Sequence, residues 1–168
     1  LRADLQQQLK EAVNEIGFKY IRFHGIFSDE MRVIRPSSNG EYEFNWIYVD
    51  KVINFFKHLN LKPFFDFTFM PKELASSQNT VFWYKGNISK PKDLKAWTKL
   101  IDSFISHCIN RYGIEEVRLW YFEIWNEPDY MWTGTQEEYF ELYRATVEVI
   151  LSKDKKLRIA GPAIMHKM

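Results

Sequence analysis

The sequence predicts an α/β fold in which helices alternate with the parallel strands of one sheet. Apolar residues recur at helical spacing in four segments, and each is followed by a short segment rich in aromatic and β-branched residues. This alternation, at roughly forty residues per unit, favours right-handed crossovers in an open doubly wound sheet or in part of a (β/α)8 barrel. A complete barrel needs about 250 residues. The 168 residues of this chain would therefore supply only part of one, starting at a helix.

The first helix is expected over residues 4–16, where apolar side chains share one face and Gly17 provides a stop. Residues 19–24 follow as a strand of period two, which places Arg22 and His24 on the same face. These two elements form the first step of the predicted alternation.

The polar segment 25–42 is predicted to be a loop, and helical spacing at 45–59 predicts a second helix. Residues 62–69 form the next predicted strand, in which Pro63 is tolerated because it stands near the start. The long segment 71–90 is expected to be a functional loop, since it is too aromatic for disorder.

Pro91 suits the first turn of a third helix that reaches about Tyr112. The aromatic stretch 120–129 is predicted to be a buried strand that a proline closes near its end. The segment 135–138 begins with threonine and ends with glutamate, which matches the capping box of a fourth helix. Residues 157–160 form a last short strand.

Composition narrows the function classes. Aromatic residues make up 17% of the sequence, and such rings build cores as well as the stacking walls of sugar and nucleobase sites. The formal net charge of +1 gives no field to steer a polyanion, so we expect no nucleic-acid contact from this segment. No apolar run has the length of a membrane span, and no phosphate-binding glycine motif follows a strand. We therefore assign no membrane partner, no cofactor and no metal.

The single Cys108 excludes an intramolecular disulfide and suits a reducing compartment, so a cytoplasmic location is expected. The sequence starts with Leu1 rather than Met and ends shortly after Gly161-Pro162, as expected for a single-domain fragment, residues 1–168, of a longer protein. Half a barrel would expose a sheet edge at each side, so we expect the fragment to self-associate.

Polar side chains stand where three predicted strands end. They are Arg22 and His24, Asp66 and Thr68, and Asn126 and Glu127. In a barrel these ends meet on one rim, where catalytic groups usually lie, and Glu127 is the strongest catalytic candidate. Trp83 and Trp132 lie in loops that follow strands, where we favour a binding role over a structural one.

Structural roles compete with functional ones at several of these positions. An ordinary hydrogen bond explains His24 as well as a ligand contact does. Arg22 fits a structural ion pair with Asp66 or Glu123 inside the barrel. Glu123 lies deeper in its strand than Glu127, so partnership with Arg22 is the favoured interpretation for it.

Five ordered motifs, which cover nearly the whole chain, resemble those of one enzyme family. They are Phe-Lys-Tyr-Ile-Arg-Phe-His-Gly at 18–25, Phe-Met-Pro-Lys at 69–72 with Leu-Ala-Ser at 74–76, Phe-Trp-Tyr-Lys-Gly-Asn at 82–87, Arg-Tyr-Gly-Ile-Glu-Glu-Val at 111–117 and Phe-Glu-Ile-Trp-Asn-Glu-Pro at 122–128. The last resembles the Asn-Glu-Pro signature of a large glycoside hydrolase clan built on eight-stranded barrels. Together the motifs resemble glycoside hydrolase family 39, which contains β-xylosidases and α-L-iduronidases, and they favour the xylosidase branch.

The resemblance implies a partial (β/α)8 barrel of about four β/α units, from the first barrel helix to strand five, and a retaining glycosidase. Such enzymes use two carboxyl groups about 5–5.5 Å apart, one nucleophilic and one acid/base. By this likeness Glu127 is the acid/base, Asn126 binds the sugar 2-hydroxyl, His24 lines the sugar subsite and Arg22 lies near the nucleophile. The nucleophile would be a glutamate on strand seven, beyond residue 168, so the isolated fragment is expected to be inactive.

Two departures from the family pattern affect specificity. Asp66 and Thr68 stand where the family usually has a glutamate and a glycine or serine, which concerns the pocket floor and the preferred sugar. The segment after Pro128 also differs, which concerns the aglycone side. One alternative is a sugar-responsive or degenerate barrel from an AraC-type transcription regulator, whose DNA-binding segment would lie upstream. A second is an α/β domain in which Glu127 is structural.

Overall fold

The computed structural model describes residues 2–37 and 41–165, which fold into alternating helices and strands. In chain order the elements are α1 (Ala3–Ile16), β1 (Tyr20–Phe23), a 3-10 helix (Asp29–Met31), β2 (Ile34–Pro36), β3 (Tyr42–Phe44), α2 (Ile47–His58), β4 (Lys62–Asp66), β5 (Thr80–Val81), β6 (Gly86–Asn87), α3 (Leu94–Tyr112), α4 (Ile114–Val117), β7 (Tyr121–Glu123), α5 (Gln136–Lys153) and β8 (Arg158–Ala160). Strands β1, β4, β7 and β8 form a parallel sheet in that order. The predicted alternation around a parallel sheet is confirmed.

The two outer strands leave the sheet open at both sides. Within residues 2–37 and 41–165, β1 pairs only with β4 and β8 pairs only with β7. Unpaired strand edges are templates for association with other chains. Self-association of this chain stays a prediction.

Large aromatic rings fill the space between the sheet and α3. Phe65 of β4 meets Phe104 of α3 edge-on, with ring centroids 5.2 Å apart, and stacks on Phe122 of β7 at 5.9 Å. Near the start of α3, the buried Trp97 donates a hydrogen bond from Nε1 to Thr146 Oγ1 of α5 at 2.8 Å. A buried indole needs such a partner, so this bond fixes how the two helices pack against each other.

Local capping signals set several helix ends as expected. Thr135 and Glu138 form the predicted capping box at the start of α5, each side chain accepting a hydrogen bond from the other residue's backbone N–H. Gly17 ends α1 in the left-handed region, at φ +76°, and its N–H donates to Val13 O at 2.9 Å. A glycine suits this position because its φ is unfavourable for residues that carry a Cβ.

The start of α3 differs from the prediction. The helix begins at Leu94, and Asp93 Oδ1 accepts the backbone N–H of Lys95 at 2.9 Å. Aspartate is a preferred residue at this capping position. Pro91 lies outside the helix and pairs with Ala75 in an isolated antiparallel bridge, so its placement in the first turn was wrong.

Short elements within the predicted loops are a second difference. An antiparallel pair, β2 with β3, forms across the end of segment 25–42, and another, β5 with β6, forms inside segment 71–90. The four-residue helix α4, directly after Gly113, was likewise not predicted. Strands of two or three residues are too short to show a repeating pattern of apolar side chains.

The strands β4 and β7 end earlier than predicted, at Asp66 and Glu123. Beyond β7 the backbone turns sharply, because Trp125 and Glu127 adopt left-handed φ values of +73° and +46°. Such angles lie outside the β region and cannot continue a strand. Thr68 and Glu127 therefore lie beyond the paired residues of their strands, whereas Arg22 and Asp66 pair within the sheet and Asn126 forms an isolated bridge with Ala163.

The first helix uses only part of its apolar face. Leu9 and Val13 pack against a small cluster that includes Leu61, but no side chain of α1 is fully buried. Ile16, which the pattern placed on the same face, is 75% exposed. The shared apolar face that the sequence predicted is therefore only half covered by the described residues.

Candidate active site

An ion pair between β1 and β7 forms the floor of the site. Arg22 Nε donates to Glu123 Oε2 at 2.6 Å, and Arg22 Nη2 donates to Glu123 Oε1 at 3.0 Å. Parallel bonds of this kind are the strong form of an arginine–carboxylate contact. The hydrogen bond to Glu123 raises the pKa of the Arg22 guanidinium despite its partial burial, and the charges of Asp66 and Glu127 act in the same direction. The interpretation of Glu123 as the structural partner of Arg22 is confirmed.

A second carboxylate, Asp66 at the end of β4, is fully buried and engaged on both oxygens. Its Oδ1 accepts hydrogen bonds from the backbone N–H and the hydroxyl of Thr68, at 3.0 and 2.7 Å. Its Oδ2 lies 3.5 Å from Arg22 Nη2 and 3.6 Å from His24 Nδ1. A buried carboxylate is costly unless it is paired and hydrogen-bonded, and Asp66 meets both conditions.

The turn after β7 presents Asn126 and Glu127. Asn126 Oδ1 accepts a hydrogen bond from Arg22 Nη2 at 2.8 Å, and the Asn126 backbone N–H donates to Thr68 Oγ1 at 2.6 Å. On either side of Asn126 the backbone is left-handed, a conformation that costs about 1–3 kcal/mol per non-glycine residue. The backbone N–H of Glu127 also donates to Ala163 O at 2.6 Å. The position of this turn is thus fixed from both adjacent strands.

The carboxylate of Glu127 is in a different situation from the groups around it. Its residue is partly buried, and within residues 2–37 and 41–165 no hydrogen bond or salt bridge engages its side-chain oxygens. Its charge nevertheless acts on Arg22. The backbone of Glu127 is therefore fixed, while its carboxylate oxygens are available for a ligand.

His24, just past β1, is anchored but accessible. Its ring meets Phe69 edge-on at 5.3 Å between centroids, and its Nδ1 faces the buried Asp66. The side chain nevertheless remains 38% exposed. Both of the alternatives for this residue, a structural contact and a ligand contact, are compatible with this geometry.

The two loop tryptophans have opposite surroundings. Trp83 is 91% exposed at the tip of the hairpin between β5 and β6, and it lines a cavity of about 310 Å³ together with Phe69. Trp132 instead packs edge-on against Trp125 and Tyr139, with centroids 5.1 and 5.9 Å away. The structure thus connects Trp83 to the His24 side of the site and places Trp132 against the buried side of the turn that holds Glu127.

Thr68, which was predicted to lie at the pocket floor, and Phe69, for which no role was predicted, both contribute to this geometry. Thr68 joins Asp66 to the backbone of Asn126 through its hydroxyl. Phe69 separates His24 from the cavity beside Trp83, and a Cβ on Gly86 would come within 2.6 Å of its ring. The polar character of Thr68 at a strand end predicted its place at the rim but not its hydrogen bond to the Asn126 backbone.

The described residues show neither a metal-binding cluster nor a membrane-spanning helix. No group of three or more histidine, cysteine, aspartate or glutamate side chains in residues 2–37 and 41–165 could hold a metal ion. Over the same residues, no helix combines the length and apolar character needed to cross a bilayer.

Comparison with known proteins identifies the family. The sequence model described as "Glycosyl hydrolases family 39" matches residues 1–167. A "Beta-xylosidase" of Caldicellulosiruptor saccharolyticus is 46% identical over 166 residues, which are 97% of this chain and 34% of that protein. A "Beta-xylosidase" of Geobacillus stearothermophilus is 44% identical over 170 residues, 98% of this chain and 34% of that protein.

Solved structures agree with this assignment. A family 39 β-xylosidase from Caulobacter crescentus superimposes with a TM-score of 0.92 at 42% identity, over 97% of this chain and 37% of that one. The family 39 enzyme of Xanthomonas axonopodis pv. citri gives a TM-score of 0.93 at 39% identity, over 97% and 32%. The chain thus spans about a third of these relatives' length, and the predicted fold, part of a (β/α)8 barrel, is confirmed. The chain belongs to glycoside hydrolase family 39.

Proposed function

We propose that this chain is the part of a retaining β-xylosidase that supplies the acid/base carboxyl group, Glu127. The observation that supports this most directly is the contrast within the site. The carboxylates of Asp66 and Glu123 are buried and paired, whereas no described residue engages the oxygens of Glu127. The two relatives described as "Beta-xylosidase", at 46% and 44% identity, support the choice of a xyloside as substrate.

In the proposed reaction Glu127 transfers its proton to the glycosidic oxygen while that oxygen leaves the anomeric carbon. A second carboxylate, located outside this chain, forms a bond to the same carbon from the opposite face. Water then attacks the covalent intermediate, Glu127 takes the proton of that water, and the second carboxylate is released. The chain alone, without the second carboxylate, binds part of the substrate but does not turn it over.

The neighbouring residues position the sugar in this proposal. Arg22 binds Asn126 Oδ1 and so leaves the amide nitrogen to donate to a sugar hydroxyl, the 2-hydroxyl in our assignment. His24 offers its exposed ring edge to the same sugar. Trp83 contacts the substrate from the hairpin, and Trp132 supports the loop that follows Glu127, on the aglycone side.

The test uses the parent protein, meaning the full-length protein that includes this chain, with an aryl β-xyloside as substrate. Glu127→Ala is expected to lower kcat/KM by about 10²–10⁴-fold for a substrate with a poor leaving group. With a substrate that has a good leaving group, added azide should restore part of the turnover and yield a β-xylosyl azide, because the anion attacks the covalent intermediate in place of water and needs no general base. Glu141→Ala, at an exposed position of α5, is the matched control.

Unchanged hydrolysis by the Glu127→Ala protein would contradict the assignment. A parent protein that binds xylosides but hydrolyses none of them would favour the alternative of a sugar-sensing regulator domain. The cytoplasmic location and the single-domain extent of residues 1–168 remain predictions.

A further inference from the structure

The hydroxyl of Thr68 joins the ends of two strands. It accepts the backbone N–H of Asn126 at 2.6 Å and donates to Asp66 Oδ1 at 2.7 Å, and all three residues are buried. An amide N–H can only donate, and an ionised carboxylate can only accept. The hydroxyl proton must therefore point to Asp66, so the orientation of this three-residue chain of hydrogen bonds is fixed at both ends.

We infer that Thr68 is a positioning residue that holds Asn126 and Glu127 in their working geometry. This inference rests on the proposed role of Glu127. The turn that it would hold is strained, because Trp125 and Glu127 are both left-handed. Backbone in such a conformation persists only where several independent contacts hold it in place.

Three hydrogen bonds hold the backbone or side chains of the turn at 125–127 in place. Trp125 Nε1 donates to Met131 O at 2.5 Å on one side of Asn126, and the Glu127 N–H donates to Ala163 O at 2.6 Å on the other. The Thr68 hydroxyl supplies the bond at the centre. No other hydrogen bond reaches the Asn126 backbone N–H within residues 2–37 and 41–165.

The same hydroxyl connects the turn to the groups that face the sugar. Asp66 Oδ1 accepts the hydrogen bond from the Thr68 hydroxyl, and Asp66 Oδ2 faces Arg22 and His24. Loss of the hydroxyl would therefore leave Arg22 and His24 next to their carboxylate while it releases the turn. The expected defect lies in the position of the Glu127 carboxyl group.

A displaced acid gives a specific kinetic signature. Protonation by a general acid contributes most when the departing oxygen is strongly basic. An enzyme with a misplaced acid should therefore lose more activity on xylosides with a poor leaving group than on those with a good one. A general loss of folded protein would lower both activities equally.

The experiment measures kcat/KM of the parent protein with Thr68→Val on aryl β-xylosides that range from 2,4-dinitrophenyl to unsubstituted phenyl. Valine keeps the branched shape of threonine and replaces the hydroxyl with a slightly larger methyl group, which can neither donate nor accept a hydrogen bond. A misplacement on the order of 1 Å costs up to about 100-fold, so we expect a loss of about 10- to 100-fold for the phenyl xyloside and under about threefold for the dinitrophenyl one. Thr68→Ser keeps the hydroxyl and should stay close to the wild type across the series.

Thr146→Val is the matched control, because it also removes a buried threonine hydroxyl, which accepts from Trp97 Nε1 and donates to Leu142 O outside the site. This variant should lower the melting temperature without any change in the dependence on leaving group. If Thr68→Val does not fold, Thr68→Ala tests the same bond with no added bulk. A loss that is equal across the series, or no loss at all, would overturn the inference.

Glu127→Ala in the same series separates this inference from the proposed function. If Glu127→Ala shows no steeper dependence on leaving group than the wild type, then the acid/base assignment itself fails. If Glu127→Ala shows the steeper dependence and the Thr68 variants do not, then only the role of Thr68 fails.

Discussion

Glu123 and Glu127 stand four residues apart on the same segment and have opposite surroundings. Glu123, the last residue of β7, is only 2% exposed, and two hydrogen bonds from Arg22 engage both of its oxygens. No described residue engages the oxygens of Glu127, in the turn beyond the strand. The difference shows how one β-strand can supply a structural carboxylate within the sheet and an available one directly after it.

The reason for the difference is where the ladder stops. Inside the sheet, burial makes an unpaired charge too costly to keep, so Glu123 requires a cation. Past the ladder, the left-handed turn at Trp125 and Glu127 ends the regular strand pairing, and Glu127 is only partly buried. There the backbone is fixed by hydrogen bonds while the side chain needs no partner to be stable.

The largest effect that would test this comparison is on stability. Glu123→Ala removes a buried carboxylate that accepts two hydrogen bonds from Arg22 and leaves the partly exposed guanidinium with the more distant Asp66 as its paired carboxylate, so we expect the free energy of unfolding of the parent protein to fall by about 2 kcal/mol. Glu127→Ala, the matched variant, should change it by less than about 0.5 kcal/mol. Urea denaturation of both variants measures the difference, and similar losses would show that the two carboxylates are not distinct in role.

The pair of Arg22 and Glu123 could be predicted because it depends on strand geometry. In a parallel sheet, residues of the same parity on neighbouring strands project into the same interior, so the two charges were placed together by pattern alone. The same argument gathered His24, Asp66 and Asn126 at one rim. Within a regular strand, the position of a residue in the sequence determines the face of the sheet on which its side chain lies.

The bonds of Thr68 and the packing of Trp132 could not be predicted in this way. Both depend on the path of the chain after a strand has ended, which the alternation of side chains does not describe. The loop position of Trp132 predicts a ligand contact, which stays a prediction, but it does not predict that the partly exposed ring packs against the buried Trp125. The start of α3 shows the same limit, since Asp93 caps the helix and Pro91 lies outside it.

A smaller effect concerns a third glutamate, Glu116, which is paired but lies near the other end of the sheet. Lys62 Nζ lies 2.8 Å from both of its carboxylate oxygens, and Trp120 Nε1 donates to it at 3.0 Å. Burial alone would raise the pKa of Glu116, but these hydrogen bonds outweigh it and hold the pKa below its ordinary value of 4.5. Paired carboxylates near the surface contribute modestly to stability.

Lys62→Met should therefore reduce stability in a pH-dependent way. A carboxyl group with a lowered pKa stabilises the fold at pH above its ordinary value, and this contribution is lost as the pH falls through the lowered value. We expect a deficit of at most about 1 kcal/mol at pH 7 that shrinks below pH 4.5. Thermal unfolding at pH 7 and pH 3 measures it, and an equal deficit at both values would contradict the ionic origin.

The smallest expected effect on stability is at Trp83. Like the carboxyl group of Glu127, its ring is not held by the core, since it is 91% exposed. Trp83→Ala should leave the melting temperature unchanged, because a side chain that is 91% exposed loses little packing when it is removed. If the ring stacks on the substrate equally in the ground and transition states, KM rises roughly two- to tenfold at constant kcat. Trp83→Phe should recover most of the loss. A changed melting temperature with unchanged KM would mean that the hairpin tip supports the fold rather than the sugar, and that exposure at this rim does not mark a binding residue.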